Sequence, residues 1–128
     1  MSISFKISSV IPAAPEIIYI AWLDSVKHSA MTGGSAEVSD KIGETFTAWD
    51  GYISGKNIEL EAGVRMLQTW RTVEFAENEP DSLLEITFET HAEGALLTIR
   101  HSNLPAHGTQ YEQGWIDNYF DPMKSYFS

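Results

Sequence analysis

The chain has 128 residues, of which 43% are hydrophobic, and its 18 acidic and 8 basic side chains give a net charge of −10. This length suits one domain over residues 1–128 with a buried core, and the acidity argues against binding to nucleic acid or to anionic lipids. The absence of cysteine excludes a disulfide framework and thiolate chemistry and is consistent with a reducing compartment.

The N-terminal residues predict a strand rather than a targeting signal. Residues 2–11 place Ile3, Phe5 and Ile7 on one side and polar residues on the other, which is typical of a half-buried strand. No basic start leads into a long apolar run, and no stretch has the length of a membrane span. We therefore expect a cytoplasmic protein without a signal peptide or a membrane span.

Two short helices are predicted after this strand. Pro15 suits the first turn of a helix over residues 15–23, and Glu16 suits the positive end of its dipole. A second helix is expected near residues 25–31, before the breaker "TGGS".

The middle of the chain, from about 35 to 102, predicts about six short strands separated by turn signals. Inward faces are indicated by Leu84, Ile86 and Phe88, and then by Leu97, Ile99 and His101. In the strand that carries Trp70, alternation leaves either face as the inward one. The candidate strands read "GETFTAW", "GYISG", "NIELE", "VRMLQTWRTVEF", "LLEITFET" and "ALLTIRHS", of which the second and third are expected to join at Gly55.

The last segment predicts a long helix that begins with "TQYE", a capping box in which Thr109 and Glu112 bond each other's backbone amides. An aromatic stripe at helical spacing includes Tyr111, Trp115 and Tyr119. Pro122 is expected to interrupt and kink the helix, at about 3 kcal/mol if the helix were unsupported.

These elements together indicate an α+β domain. We expect a curved antiparallel sheet of six to seven strands wrapped around the long C-terminal helix, with two short helices after the first strand. The apolar stripe of the helix lies against the apolar face of the sheet.

Several blocks of the sequence resemble one known family. The blocks "MTGGSAEVSDKIGETFTAWDGYISGKNIEL", "QTWRTVEF", "GALLTIRHSNLP" and "YEQGWIDNYFDPMKSYF" are similar to the START-like (SRPBCC, helix-grip) superfamily. More narrowly, they resemble the family of activators of the heat-shock protein 90 ATPase. The resemblance implies a sheet that grips the last helix around a cavity for lipid-like or other apolar ligands. The family name implies a chaperone partner, and some superfamily members are cavity enzymes.

Aromatic side chains are the best candidates to line such a cavity, since they hold apolar ligands while Tyr and Trp keep a polar group. The alternative is that they only fill the core, where burying one large side chain stabilises by about 1.5–3 kcal/mol. The candidate lining set is Trp22, Phe46, Trp49, Tyr52, Trp70, Phe88, Ile99, His101, Trp115, Tyr119 and Met123.

Polar residues give weaker signals. His101 is expected at the pocket mouth or bonded to a nearby backbone group, whereas His28, His91 and His107 are predicted on the surface or in loops. Their spacing favours no metal site, and we expect no cofactor.

Arg71 and Arg100 are expected on strands, where each either binds a ligand carboxylate or pairs with a glutamate such as Glu85 or Glu89.

The sequence contains no nucleophile motif such as GxSxG, so catalytic residues are not predicted. The favoured hypothesis is a domain that binds an apolar or lipid-like small molecule. The alternatives are a chaperone-interacting module and a cavity enzyme in which His101 would be the acting group.

Overall fold

A computed structural model describes residues 2–128 of the chain. Within these residues the strands are β1 (Ser2–Ile11), β2 (Thr45–Ala48), β3 (Ile53–Glu61), β4 (Arg65–Thr72), β5 (Ser82–His91) and β6 (Gly94–Pro105). Two helices, α1 (Pro15–Trp22) and α2 (Ser25–Thr32), lie between β1 and β2. The C-terminal helix consists of α3 (Gln110–Trp115), a π-helical turn (Ile116–Phe120) and α4 (Asp121–Phe127).

The strands form one antiparallel sheet in the order β1-β6-β5-β4-β3-β2. Register shifts between Ile3 and Phe5 and between Asn57 and Glu59 bend the sheet, as bulges do. Gly55 lies inside β3, and a Cβ there would come within 1.9 Å of the Thr69 carbonyl oxygen. The predicted α+β fold, a curved antiparallel sheet around a C-terminal helix, is confirmed, with six strands in the described residues.

Alternation places the strand side chains as predicted. Leu84, Ile86 and Phe88 of β5 are buried, as are Leu97 and Ile99 of β6. For β4 the structure decides what the sequence left open: Met66, Gln68, Trp70 and Thr72 point inward. Arg71 therefore lies on the outer face.

The two short helices begin and end close to the predicted positions. Pro15 is the first residue of α1, and Asp24 caps α2 by accepting from the Lys27 amide at 2.9 Å. Gly33 ends α2 in a left-handed conformation with φ 89°, which glycine adopts without a steric penalty.

The predicted capping box is wrong. Thr109 already has helical backbone angles (φ −63°, ψ −26°), and its side chain makes no capping bond. A capping residue needs an extended backbone to bring its oxygen over the following amides. The turn instead starts one residue earlier, where the Tyr111 amide donates to the Gly108 carbonyl at 3.2 Å.

A π-helical turn (Ile116–Phe120) lies just before α4, in which Pro122 is the second residue. The kink expected at Pro122 stays a prediction. The core fills the space between the concave face of the sheet and the helices. None of the helices in residues 2–128 is long and apolar enough to cross a membrane.

Candidate functional site

The C-terminal helix is bound to the rest of the domain by three polar contacts. Tyr111, Trp115 and Tyr119 are four residues apart and buried. The Tyr111 hydroxyl bonds the Thr72 hydroxyl of β4 at 2.6 Å, and the Trp115 indole donates to His101 Nδ1 of β6 at 3.0 Å. The Tyr119 hydroxyl is 2.9 Å from His28 Nε2 of α2. One stripe thus binds three separate elements.

The π-helical turn helps to keep this stripe on one face. At 3.6 residues per turn, positions four apart rotate by about 40° with each step, so a four-residue repeat drifts around an α-helix. A π-helical turn is wider and reverses part of that drift. Met123, four residues after Tyr119, accordingly remains fully buried at 0% exposure.

His101 lies in the interior, 1% exposed, and not at a pocket mouth, which corrects the expectation from the sequence. It is bonded to side chains rather than to the backbone. Because Nδ1 accepts from Trp115, Nε2 carries the proton and donates to Ser82 Oγ at 2.8 Å. Ser82 Oγ donates in turn to the Trp70 carbonyl at 2.6 Å.

This chain of bonds holds His101 neutral. Burial lowers the pKa of His101 to about 3. A second proton on Nδ1 would also face the Trp115 indole proton. The serine proton is already donated to a carbonyl, so the Ser82–His101 pair does not form an activated nucleophile.

His28 was predicted at the surface, and this prediction is wrong. Its ring is 2% exposed, with Nδ1 donating to the Trp22 carbonyl at 2.8 Å and Nε2 accepting from Tyr119. Burial lowers the pKa of His28. The signal was available: His28, Met31 and Thr32 are buried at helical spacing on one face of α2.

A groove of about 440 Å³ lies between the C-terminal helix and the turn that joins β2 to β3. Pockets of 300–1,000 Å³ suit small organic ligands. Gln110 and Asn118, both exposed, lie on its outer edge. The groove is lined by Trp49, Tyr52, Ile53, Trp70, Gln110, Tyr111, Gly114, Trp115, Asn118 and Tyr119.

Five members of the candidate lining set lie in this groove: Trp49, Tyr52, Trp70, Trp115 and Tyr119. The other six pack elsewhere in the core: Trp22, Phe46, Phe88, Ile99, His101 and Met123. Trp22, for example, stacks against the Tyr119 ring, with 4.8 Å between the two ring centroids. The sequence had missed Ile53, Gln110, Tyr111, Gly114 and Asn118 as lining residues. A ligand-binding role for any of them stays a prediction.

Trp49 has an unusual backbone for a large residue. Trp49 (φ 52°) and Asp50 (φ 60°) are both left-handed, a conformation that costs non-glycine residues energy and often marks functional positions. Two bonds hold the turn, since the Ser35 amide donates to Asp50 Oδ1 at 3.0 Å and the Asp50 amide donates to the Ser35 carbonyl at 2.9 Å. The Trp49 ring covers Gly34, where a Cβ would lie 2.4 Å from Cε3.

Gly114 forms the open part of the groove wall. A Cβ at this position would meet no atom closer than Asn118 Nδ2, at 3.8 Å. Glycine inside a helix destabilises it by roughly 0.5–1 kcal/mol relative to alanine. No close packing contact requires glycine here, so its effect is to leave space in the groove.

Charged side chains lie outside the groove. Arg100 pairs with Glu85 at 3.6 Å as expected, whereas Arg71 pairs with Asp81 at 2.9 Å rather than with a glutamate.

At the groove edge the Tyr52 hydroxyl donates to Glu74, and burial together with this carboxylate raises the pKa of Tyr52. In residues 2–128 no group of histidines and carboxylates could hold a metal ion.

The family model described as "Activator of Hsp90 ATPase homolog 1-like protein" matches residues 12–128. The chain belongs to this family. A Dictyostelium discoideum member named as an activator of 90 kDa heat shock protein ATPase homolog is 27% identical over 98% of the chain. The chain spans about a third of that relative's length (33%).

Solved structures related to this Hsp90 activator homologue family share the fold. An HSP90 activator from Plasmodium falciparum is 23% identical, with a TM-score of 0.84 over 95% of this chain and 94% of that one. An AHSA1-like protein from Aeromonas hydrophila is 17% identical, with a TM-score of 0.71 over 97% and 91% of the two chains. At these identities the likeness concerns the fold alone.

Proposed function

We propose that this domain binds an apolar small molecule in the groove beside its C-terminal helix. The observation that carries the proposal is Gly114, which destabilises the helix and whose position opens onto a groove walled by aromatic rings. A protein under selection for stability alone would gain from a side chain there. The six aromatic lining residues supply the apolar surface that such a ligand needs.

The proposal is tested with an aromatic probe and a variant that fills the groove. N-phenyl-1-naphthylamine is titrated into the protein, and its fluorescence is followed together with energy transfer from the tryptophans. We expect saturable binding to the wild type and loss of about tenfold or more in affinity for Gly114→Leu, since leucine fills the space the probe needs.

Two controls separate occlusion from disruption. Gly114→Ala adds one methyl group, supports the helix and should retain most of the binding. Gln113→Leu adds the same side chain at the neighbouring exposed position, which does not line the groove, and should bind like the wild type. Unchanged binding in Gly114→Leu, or no binding to the wild type, would overturn the proposal.

A second candidate function is interaction with an Hsp90 chaperone. Its support is the likeness to the Dictyostelium relative, which covers 98% of this chain and whose printed name is that of an Hsp90 ATPase activator homologue. Isothermal calorimetry with the cognate Hsp90 and measurement of its ATPase rate test this candidate. Binding with a raised ATPase rate supports it, and absence of binding at high protein concentration rejects it.

A further inference from the structure

We propose that the groove selects uncharged aromatic ligands and discriminates against anions. This inference rests on the proposed ligand binding and adds the chemical class of the ligand. It is carried by three observations: the uncharged lining, the hydrogen bonds that most of its aromatic polar groups already make, and the negative charge around the groove.

None of the described lining residues carries a charge. An anionic ligand that enters an apolar groove loses its hydration and needs a cation or several donors in exchange. The three arginines, Arg65, Arg71 and Arg100, lie outside the lining and are bonded to acidic residues, and none of the five lysines lines the groove. A carboxylate or sulfonate would therefore be buried without compensation.

The polar groups of four of the six aromatic walls are already hydrogen-bonded within the domain, whereas the Trp49 indole Nε1 is buried and has no hydrogen-bond partner within residues 2–128. A single neutral N–H suits an uncharged acceptor, whereas a buried anion needs several donors or a cation. The hydroxyl of Tyr119 and the indole of Trp115 bond to buried histidines, and the hydroxyl of Tyr111 bonds to Thr72. The Tyr52 hydroxyl donates to the Glu74 carboxylate. Among the other lining side chains, the carboxamides of Gln110 and Asn118 lie at the exposed edge. These neutral groups suit a neutral polar end of a ligand.

The surroundings strengthen the discrimination. Glu74 lies at one edge of the groove, and Asp117, which accepts from Gln113 at 3.0 Å, lies on the exposed side of the adjacent helix. The whole chain carries a net charge of −10. An anion is thus repelled during approach, most strongly at low ionic strength.

The walls favour a flat ligand. Trp70 lies 5.0 Å from Tyr111 and 5.7 Å from Trp115 between ring centroids, at interplanar angles of 81° and 40°. These contacts join the walls to one another and hold the rings in place, so a ligand meets a preformed aromatic surface.

Two probes with one skeleton test the charge preference. N-phenyl-1-naphthylamine is neutral, and 8-anilinonaphthalene-1-sulfonate adds a sulfonate to the same rings. We expect the neutral probe to bind at least about tenfold more tightly, and the difference to shrink when salt is raised from about 10 mM to about 150 mM.

A variant with an added positive charge tests whether the groove itself causes the preference for the neutral probe. Asn118→Lys places a cation on the groove edge and should raise the affinity of the sulfonate relative to that of the neutral probe severalfold. Gln113→Lys adds the same charge beside the groove but outside its lining, and should change the ratio of affinities much less.

The outcomes distinguish the two proposals. Equal affinities for both probes, or a ratio that Asn118→Lys and Gln113→Lys change equally, would overturn the charge preference and leave the binding function standing. Failure of both probes to bind would overturn the binding function and the preference with it.

Discussion

At the scale of single residues, two buried histidines are each held in one protonation state by their neighbours. His101 accepts from Trp115 and donates to Ser82, and His28 donates to the Trp22 carbonyl and accepts from Tyr119. Both imidazoles are neutral in the folded protein, because burial lowers the pKa of each. In the unfolded chain each would titrate near its ordinary pKa of about 6.5.

This difference predicts that the protein loses stability as the pH falls below about 6.5. Below that pH the unfolded chain binds protons on these two histidines, whereas the buried histidines of the native state stay neutral. Protonation therefore favours unfolding. For His101, with a folded pKa of about 3, the loss between pH 7.5 and 5.5 is on the order of 1 kcal/mol, and His28 adds in the same direction. Urea unfolding at pH 7.5, 6.5 and 5.5 measures it, in a range where most carboxylates stay ionised.

The matched control for this pH dependence is His91, an exposed residue at the end of β5. His101→Gln should reduce the slope of stability against pH, even if the variant is less stable at every pH, and should reduce it more than His91→Gln does. A wild-type protein equally stable at pH 7.5 and 5.5 would contradict the proton linkage.

At the scale of elements, the docking of the C-terminal helix depends on polar groups that must find partners once they are buried. The aromatic stripe removes large apolar surfaces from water, while its hydroxyls and indole bond β4, β6 and α2. A buried acceptor left without its donor costs about 1–3 kcal/mol. The polar contacts thus fix one position of the helix on the sheet among the many that apolar packing alone would allow.

Tyr119→Phe is expected to destabilise the domain by about 1–3 kcal/mol. The change removes only the hydroxyl, so packing is kept while His28 Nε2 loses its partner in a site 2% exposed. Tyr126→Phe is the control on the same helix, because Tyr126 is 43% exposed and should change stability by less than about 0.5 kcal/mol. Chemical denaturation measures both, and equal stabilities of the two variants would contradict the role of the bond.

The strands were predictable from the sequence because a two-residue alternation is a local signal. Leu84, Ile86 and Phe88 face inward in the structure as their spacing indicated. The start of the C-terminal helix was not predictable in the same way. The capping pattern "TQYE" was present, but the preceding chain already turns at Gly108 and carries Thr109 into helical geometry.

Some of the aromatic residues that line the groove were predictable from the sequence, and the others were not. The sequence pointed to aromatic residues on the last helix and on the sheet, and Trp70, Trp115 and Tyr119 do come together. Which aromatics line the space depends on the angle at which the helix crosses the sheet, a tertiary property without a local signal. Phe88 alternates as well as Trp70 does, yet packs edge-on against Tyr19 at 5.7 Å between ring centroids.

At the scale of the whole molecule, the net charge of −10 acts against the compact state. A chain of this length folds to a radius of gyration of about 14 Å. The Debye length is about 30 Å at 0.01 M salt and about 8 Å at 0.15 M. At low salt every acidic side chain therefore interacts with all the others, whereas at physiological salt only near neighbours do.

Added salt is therefore expected to stabilise the protein, by roughly 1 kcal/mol or more between about 0.01 M and 0.15 M sodium chloride. The opposing effect is the weakening of surface ion pairs such as Arg65–Glu59 and Arg71–Asp81, each worth about 0.2–1 kcal/mol at most. Repulsion among many unpaired carboxylates should outweigh these few contacts. Urea denaturation at the two salt concentrations measures the balance.

A single substitution tests whether net charge causes the effect. Glu93→Lys, in the exposed turn between β5 and β6, changes the net charge from −10 to −8 and lies away from the ion pairs of β4. The salt dependence of this variant should be smaller than that of the wild type, because repulsion grows with the square of the net charge. If the wild type instead loses stability as salt is added, the ion pairs outweigh the repulsion, and the prediction that net charge destabilises the folded protein is wrong.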